Sequence, residues 1–485
     1  MIPIIPLSGA LLLAYWVRWI FWKRKEQPVA VPVLVTCFFL PKINLLKVSS
    51  LSTAGIRADD LLALVLLLAA VMDPATYRNK AVKWGFRILL VLSAVNLLSV
   101  VAGRMYGYDN QILLSVMMVI RKFEYGSFAL TGIFVMRRLK NPYRTFMTEF
   151  TVLNLMYLIP AALQVLGKCS YAVNGADAGN YFQGSAVSTF NGYYEYGQVL
   201  CFGCAVFICD LISGRSAPKI GKFPVSLLML PLTLGMLVLS KSRTSLVFGG
   251  LLILIAVFFP VRSRISRPRL IAGGYGTIAV LAVVTVFAAG MIGHGLSSRF
   301  GSLDPDSFLS YWREFVRRGN FHQYREMVRT GYFEFDAIDD LGYLDRVSDW
   351  SMATRMLKWG AALDGFRMHP LLGYGTGVTH VMDGNYIRLL GETGLLGTLL
   401  WLGFYFWVMR EVWKARREAL LGKAVLLMML SVLLNSLMID MFDASKPMEM
   451  MWLLAGAVIA YPVCASGRRE GLPAGEMIKE TVMRT

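Results

Sequence analysis

Apolar residues run through this chain in long blocks separated by polar connections, from the first residues almost to the last. A helix rises 1.5 Å per residue, so about 20 apolar residues cross about 30 Å of hydrocarbon. Thirteen blocks approach or reach that length: 3–22, 28–46, 59–76, 86–103, 111–136, 146–167, 193–213, 224–240, 245–261, 270–292, 386–409, 423–440 and 447–464. Pro28, Pro32 and Pro41 make the second short or broken. The first lacks a basic start and a small-residue cleavage site, so it is expected to be a retained helix. The pattern predicts an all-α polytopic membrane protein with about 12–14 transmembrane helices. It divides into an N-terminal bundle (1–292), a large extracytoplasmic loop (293–385), C-terminal membrane helices (386–465) and a cytoplasmic tail (466–485).

Composition agrees. Of 485 residues, 56% are hydrophobic and 16% charged, and the mean hydropathy of +0.54 lies above the range of soluble chains. The net charge of +18 invites a nucleic-acid reading, but its distribution argues against one. Basic residues fill alternate connections: Lys23, Arg24 and Lys25; Arg78, Lys80, Lys83 and Arg87; Arg137, Arg138, Lys140 and Arg144; Arg215, Lys219 and Lys222; Arg262 to Arg269; and Arg410 to Lys423. Positive-inside bias assigns these connections and the C-terminus to the cytoplasm.

Two long connections then face outward: 168–192, which is polar and glycine-rich, and 293–385. The second is nearly balanced, with ten Lys/Arg against twelve Asp/Glu, and holds all four histidines, 294, 322, 369 and 380. Apolar stripes at helical spacing predict interfacial helices around 307–330 and 350–368. The six cysteines sit mostly in or beside spans; Cys201 and Cys204 have no flanking ligands and read as small buried hydrophobes. No metal or cofactor is indicated: "DPD" at 304–306 is ordinary turn chemistry.

Ionisable residues at membrane depth cost about 2.5–3.5 kcal/mol on insertion scales, so each raises a functional question. Here they gather near the outward ends of spans: Arg57 and Asp59, Arg121, Lys122 and Glu124, Glu195, Arg243, Arg388 and Glu392, and Asp440, Asp443 and Lys446. Lys42, Lys47 and Asp443 read as charges that snorkel to water. Arg121 and Glu124 share a helical face and suit an ion pair, structural or functional. Arg243, between hydroxyls in "SKSRTS" (240–245), sits in a tight connection better made from neutral residues. Its planar fork suits paired bonds to phosphate oxygens.

The stretch "RMLKWGAALDGFRMHPLLGYGTGVTHVMDGNYIRLLGETGLLG" (355–397) resembles the C-terminal signature of the O-antigen polymerase/ligase superfamily. An arginine begins a helix leading to a P-L-x-G-x-G turn, a polar stretch and an N-Y-x-x-L-x-E-x-G lead-in to the next span. "SKSRTS" is similar to the family's S-x-S-R turn, while "GIRADD" (55–60) and "IRKFEYG" (120–126) resemble features of its exopolysaccharide branch. The resemblance covers most of the chain in topology and is specific in sequence over 355–397 and 240–245.

The resemblance implies a C-type, membrane-embedded glycosyltransferase at the outer face of the bacterial inner membrane. It would transfer an undecaprenyl-diphosphate-linked glycan to a sugar hydroxyl with inversion, needing neither metal nor cofactor. Donor and acceptor would be lipid-linked oligosaccharides. A flippase and a chain-length regulator are the family's partners, alongside membrane lipids and without nucleic acid. Arg243 and Arg355 match the diphosphate-binding arginines, with Arg388 beside them; Arg57, Arg121, Glu124, Glu392 and Tyr386 complete the expected substrate site. Asp383 is the first candidate base and His380 the second. Ligases carry histidine where Gly384 stands, which favours a repeat-unit polymerase; ligase, lipid flippase and non-catalytic assembly subunit are the alternatives. The arginine expected within "GSAVSTFNG" is missing. The glycines are expected to admit a bulky sugar chain and let the loop reorder.

Overall fold

The computed structural model describes residues 2–42, 44–47, 55–78, 80–108, 112–171, 184–213, 219–220, 223–258, 350–378, 383–416 and 421–470. The expected span 270–292, the stretch 307–330, residues 304–306, His294, His322 and His380 lie outside them.

The described chain is mostly helical. Its helices are α1 (Ile4–Arg18), continued by a π turn over Trp19–Lys23; α2 (Ala30–Phe39); α3 (Ala58–Val71); α4 (Lys80–Met105); α5 (Ile112–Arg138); α6 (Pro142–Val165); α7 (Tyr193–Ser213); α8 (Val225–Leu239); α9 (Arg243–Phe258); α10 (Trp350–Met368); α11 (Asn385–Ala415); α12 (Gly422–Asn435); and α13 (Ser445–Glu470). Among the described residues, five segments are long and apolar enough to cross a membrane: Ile4–Lys23, Lys80–Met105, Pro142–Val165, Tyr193–Ile212 and Asn385–Ala415. Two antiparallel strand pairs depart from the all-α expectation, β1 (Asn44–Lys47) with β2 (Gly55–Arg57) and β3 (Lys219–Ile220) with β4 (Phe223–Pro224).

Local chemistry explains several boundaries. Pro142 opens α6, where the missing N–H costs nothing. Prolines hold α2 to ten residues, about 15 Å and half a bilayer. Asp60 caps α3 by accepting from the Arg57 backbone N–H at 2.9 Å. Although Arg121, Lys122 and Glu124 interrupt its hydropathy, α5 runs unbroken through them.

Contacts place the connections at two ends. At one, Arg18 reaches Glu149 and Arg138 reaches Asp73, each at 3.0 Å. This end carries Lys23, Lys140, Lys414 and Lys423, and is termed the basic end. At the other, Ile2 bridges to Cys169, Arg57 donates to Ser445 at 3.0 Å and Tyr106 stacks on His369 at 3.8 Å. The turns 240–242, 369–378 and 436–444 lie here, and it is termed the site end. Through the middle, α5 and α13 pack so closely that a side chain at Gly132 would strike the Leu453 carbonyl, and one at Gly456 the Ala129 backbone. Small residues permit that approach, as between membrane helices generally.

Candidate functional site

Helix α11 is broken. Gly394 has φ +62° and ψ −166°, outside helical space, so the carbonyls before it and the amides after it lose their partners within the helix. The turn after α10 supplies replacements. Tyr374 and Gly375 donate their amides to the carbonyls of Gly391 (3.0 Å) and Glu392 (3.1 Å), while Leu395 and Leu396 donate to Pro370 (2.8 Å) and Leu371 (3.2 Å). Ser99 of α4 adds a 2.5 Å bond to the Glu392 carbonyl. Gly373 and Gly394 lie so close to this seam that a Cβ on either would enter the opposing backbone. Gly373 and Gly394 therefore serve tight docking.

Docking fixes the start of α11. Gly384 turns with φ +100°, its Cα face against the Trp359 indole, whose Nε1 donates to the Asp383 carbonyl. One turn earlier on α10, Arg355 donates from Nε to Asp383 Oδ2 at 2.8 Å. This pair remains partly open, at 24% and 38% side-chain exposure. Asn385 accepts from the Phe442 N–H at 2.8 Å, and its own N–H donates to Ser436 at 2.9 Å, tying α11 to the turn between α12 and α13.

Beneath that opening the charges are committed. Buried Arg388 donates to Glu392 (3.1 Å), Asp440 (2.9 Å) and Asp443 (2.7 Å), with Lys122 4.0 Å from Asp443. In the turn beyond α12, burial pushes the Asp440 carboxyl up to about 7 against the pull of Arg388. Burial also pushes Asp443 up, but Arg388, Lys122 and Arg121 outweigh it and hold that carboxyl below its ordinary value. On α10, burial lowers Lys358 while Asp383 and Asp440 oppose the shift. Thus Arg355, Lys358, Asp383, Arg388 and Asp440 share one electrostatic neighbourhood, which Tyr194 of α7 also borders.

The other expected residues divide. Arg243 opens α9 after a turn whose Lys241 has φ +58°. Ser242 and Ser245 of that turn pack on Gly197, one turn beyond Tyr194 in α7, so Arg243 borders the same helix end as the Arg355–Asp383 pair. Tyr386, a candidate sugar platform, donates to the Leu433 carbonyl at 2.8 Å and packs edge-on against Phe442. Arg57 is buried and bound to Asp60 at 2.7 Å, and Arg121 lies 4.0 Å from Asp60. These two arginines and Glu124 belong to a deeper cluster.

Two expectations are corrected. Lys42 is buried against Glu195 at 2.5 Å, and Asp443 is held by Arg388 at 2.7 Å; both charges are engaged in ion pairs within the protein rather than extended to water. Sequence reasoning also missed Glu149, which takes both Arg18 nitrogens, the Tyr15 hydroxyl and Gln27. It missed Asp210, bound by Tyr143 and Ser226, and Glu449. Single carboxylates inside apolar blocks were the available signal. Cys201 and Cys204 are buried and unpaired, Cys201 donating to the Ser245 carbonyl. Among the described residues no group of three or more His, Cys, Asp or Glu is arranged to hold a metal ion. No family model matches the chain, and no curated protein resembles it.

Proposed function

We propose that the chain is a membrane glycosyltransferase with a C-type architecture of about 12–14 spans. In this reading it polymerises undecaprenyl-diphosphate-linked oligosaccharide repeat units at the outer face of the bacterial inner membrane. The site end faces outward and the basic end, with the C-terminus, faces the cytoplasm. One observation carries the reading: Arg355 and Asp383, 28 residues apart, meet at a partly open position bordered by Lys358 and Tyr194.

The pair suits a displacement. A diphosphate drawn to the Arg355 fork competes with Asp383 for it, and binding of the anion releases the carboxylate. The acceptor hydroxyl oxygen then bonds to the anomeric carbon from the face opposite the diphosphate. Its proton passes to Asp383, and the bond to the diphosphate oxygen breaks with its electron pair. Cations aimed at that oxygen supply the larger share of stabilisation, and the base contributes about 10²–10⁴-fold. Lys358 and Arg243 border the site and complement the growing charge.

Reconstitution of the purified chain with lipid-linked repeat units alone tests this. Long glycan ladders are expected, and Arg355→Ala and Asp383→Asn should each reduce them at least about 10²-fold with expression intact. Product only after a distinct acceptor is added would mean a ligase. The broken α11 supports a second reading, since lipid and solute transporters place interrupted helices beside buried charges. Movement of intact lipid without new glycosidic bonds would establish it.

A further inference from the structure

The deeper cluster beneath the site end gathers two sequence motifs and the start of α13. "GIRADD" contributes Arg57 from the end of β2 and Asp59 and Asp60 from α3; "IRKFEYG" contributes Arg121, Glu124 and Tyr125 from α5; α13 contributes Lys446 and Glu449. Lys42, Glu195 of α7 and Cys37 of α2 close it. Lys42, Arg57, Asp59, Glu195, Lys446 and Glu449 are each at most 5% exposed. A cluster at this depth is costly unless its charges balance.

They do not balance as ions. Five carboxyl groups, Asp59, Asp60, Glu124, Glu195 and Glu449, face four cations, Lys42, Arg57, Arg121 and Lys446. The pairings locate the surplus. Glu195 takes Lys42, and Asp59 and Asp60 take Arg57. Lys446 donates to the Leu40 carbonyl and lies over the Phe190 ring. Among the described residues no ion pair within 4.0 Å holds Glu124 or Glu449. Both face Asp60 and Arg57, and Glu449 is the first charge that Glu124 senses. They stand on helices locked together at Gly132 and Gly456. Glu449 Oε2, and both carboxylate oxygens of Asp59, are buried without a hydrogen-bond partner. Such orphaned acceptors call for a donor.

We infer that Glu124 and Glu449 form a proton-binding site inside the helix bundle, holding one proton at neutral pH. A carboxyl O–H supplies the missing donor and removes the surplus charge, and no described group offers the ligand set a metal ion needs. Releasing the proton leaves two unneutralised carboxylates facing Asp59 and Asp60 across the tightest helix contact, so protonation is coupled to how firmly α5 and α13 stay packed. The inference is independent of which reaction the site end performs.

Infrared spectroscopy on the purified full chain in phosphatidylcholine bilayers tests it. A protonated-carboxyl C=O band is expected at neutral pH and lost in alkali. In an Asp440→Asn background, which removes the other carboxyl set at about 7, it should be weakened by Glu124→Gln and by Glu449→Gln and absent when both are made. Wild-type thermal stability should fall from neutral to alkaline pH, and Glu449→Gln should flatten that fall. Absence of the band from Asp440→Asn at neutral pH, its persistence when both glutamates are also replaced, or its displacement by sodium chloride at fixed pH would each overturn the inference. If the glutamate variants fail to fold, the pH and sodium dependence of the band in Asp440→Asn decides alone.

Discussion

Arg388 and Arg355 are both arginines of the expected diphosphate site, yet their surroundings assign them different work. Arg388 is wrapped by three carboxylates and is only 3% exposed; removing one partner of such a cluster strands charges in the interior, at about 3–5 kcal/mol. Arg388→Met is therefore expected to lower the unfolding temperature markedly, whatever it does to activity, and a thermal melt of the purified variant checks this. Arg355 pairs with Asp383 in partial contact with water, where an ion pair contributes about 1 kcal/mol or less. Arg355→Ala should fold as wild type and lose turnover. A melt shifted as far as that of Arg388→Met would assign Arg355 to the scaffold instead. Asp440 adds a pH dependence. Its carboxyl sits at about 7 in the folded chain and at about 3.9 when unfolded, so between those values the folded state binds the proton more tightly. Stability is then greatest below about pH 4, falls as pH rises through the window to about 7, and levels above it. Asp440→Asn should flatten that part of the curve in denaturant titrations.

At the scale of elements, the seam between the 369–378 turn and the break in α11 sets the position of everything at the site end. Because Gly394 holds a left-handed φ against the Leu371 backbone, Gly394→Val combines strain of about 1–2 kcal/mol with a collision, and should release Tyr374 and Gly375 from their carbonyls. Faster hydrogen exchange at those two amides, with the α5–α13 contact still protected, is the expected result; unchanged exchange would mean that the seam does not depend on the break. The hydropathy pattern placed the helices well, including α10 at 350–368, because burial in lipid and helical period both act locally. It did not reveal the seam. Glycine density around 373–397 was visible, but whether glycine gives mobility or close packing depends on what approaches it, and the partner carbonyls lie about 20 residues away along the chain. The site was legible in the same uneven way: Arg355 and Asp383, singled out in the sequence for separate roles, lie against each other, whereas the ion pair of Lys42 with Glu195 joins residues 153 apart, beyond any spacing rule.

For the whole molecule, the distribution of charge makes a prediction that the fold alone does not. The basic end bears Lys23, Arg137, Lys140 and Lys414, whereas cations of the site end such as Lys42 and Arg388 are held in internal pairs. Translocating the basic end would carry this concentration of Lys and Arg across the membrane, and neighbouring acids do little to offset that cost. The basic end should therefore remain in the cytoplasm. Single cysteines at Met368, exposed at the site end, and at Lys414, exposed at the basic end, report on this in a background lacking the native cysteines. A membrane-impermeant maleimide added to intact spheroplasts should modify position 368 and reach position 414 only after permeabilisation. The opposite pattern would turn the molecule over, place Arg355 and Asp383 on the side where nucleotide-activated sugars are made, and remove the reason for preferring a lipid-linked donor.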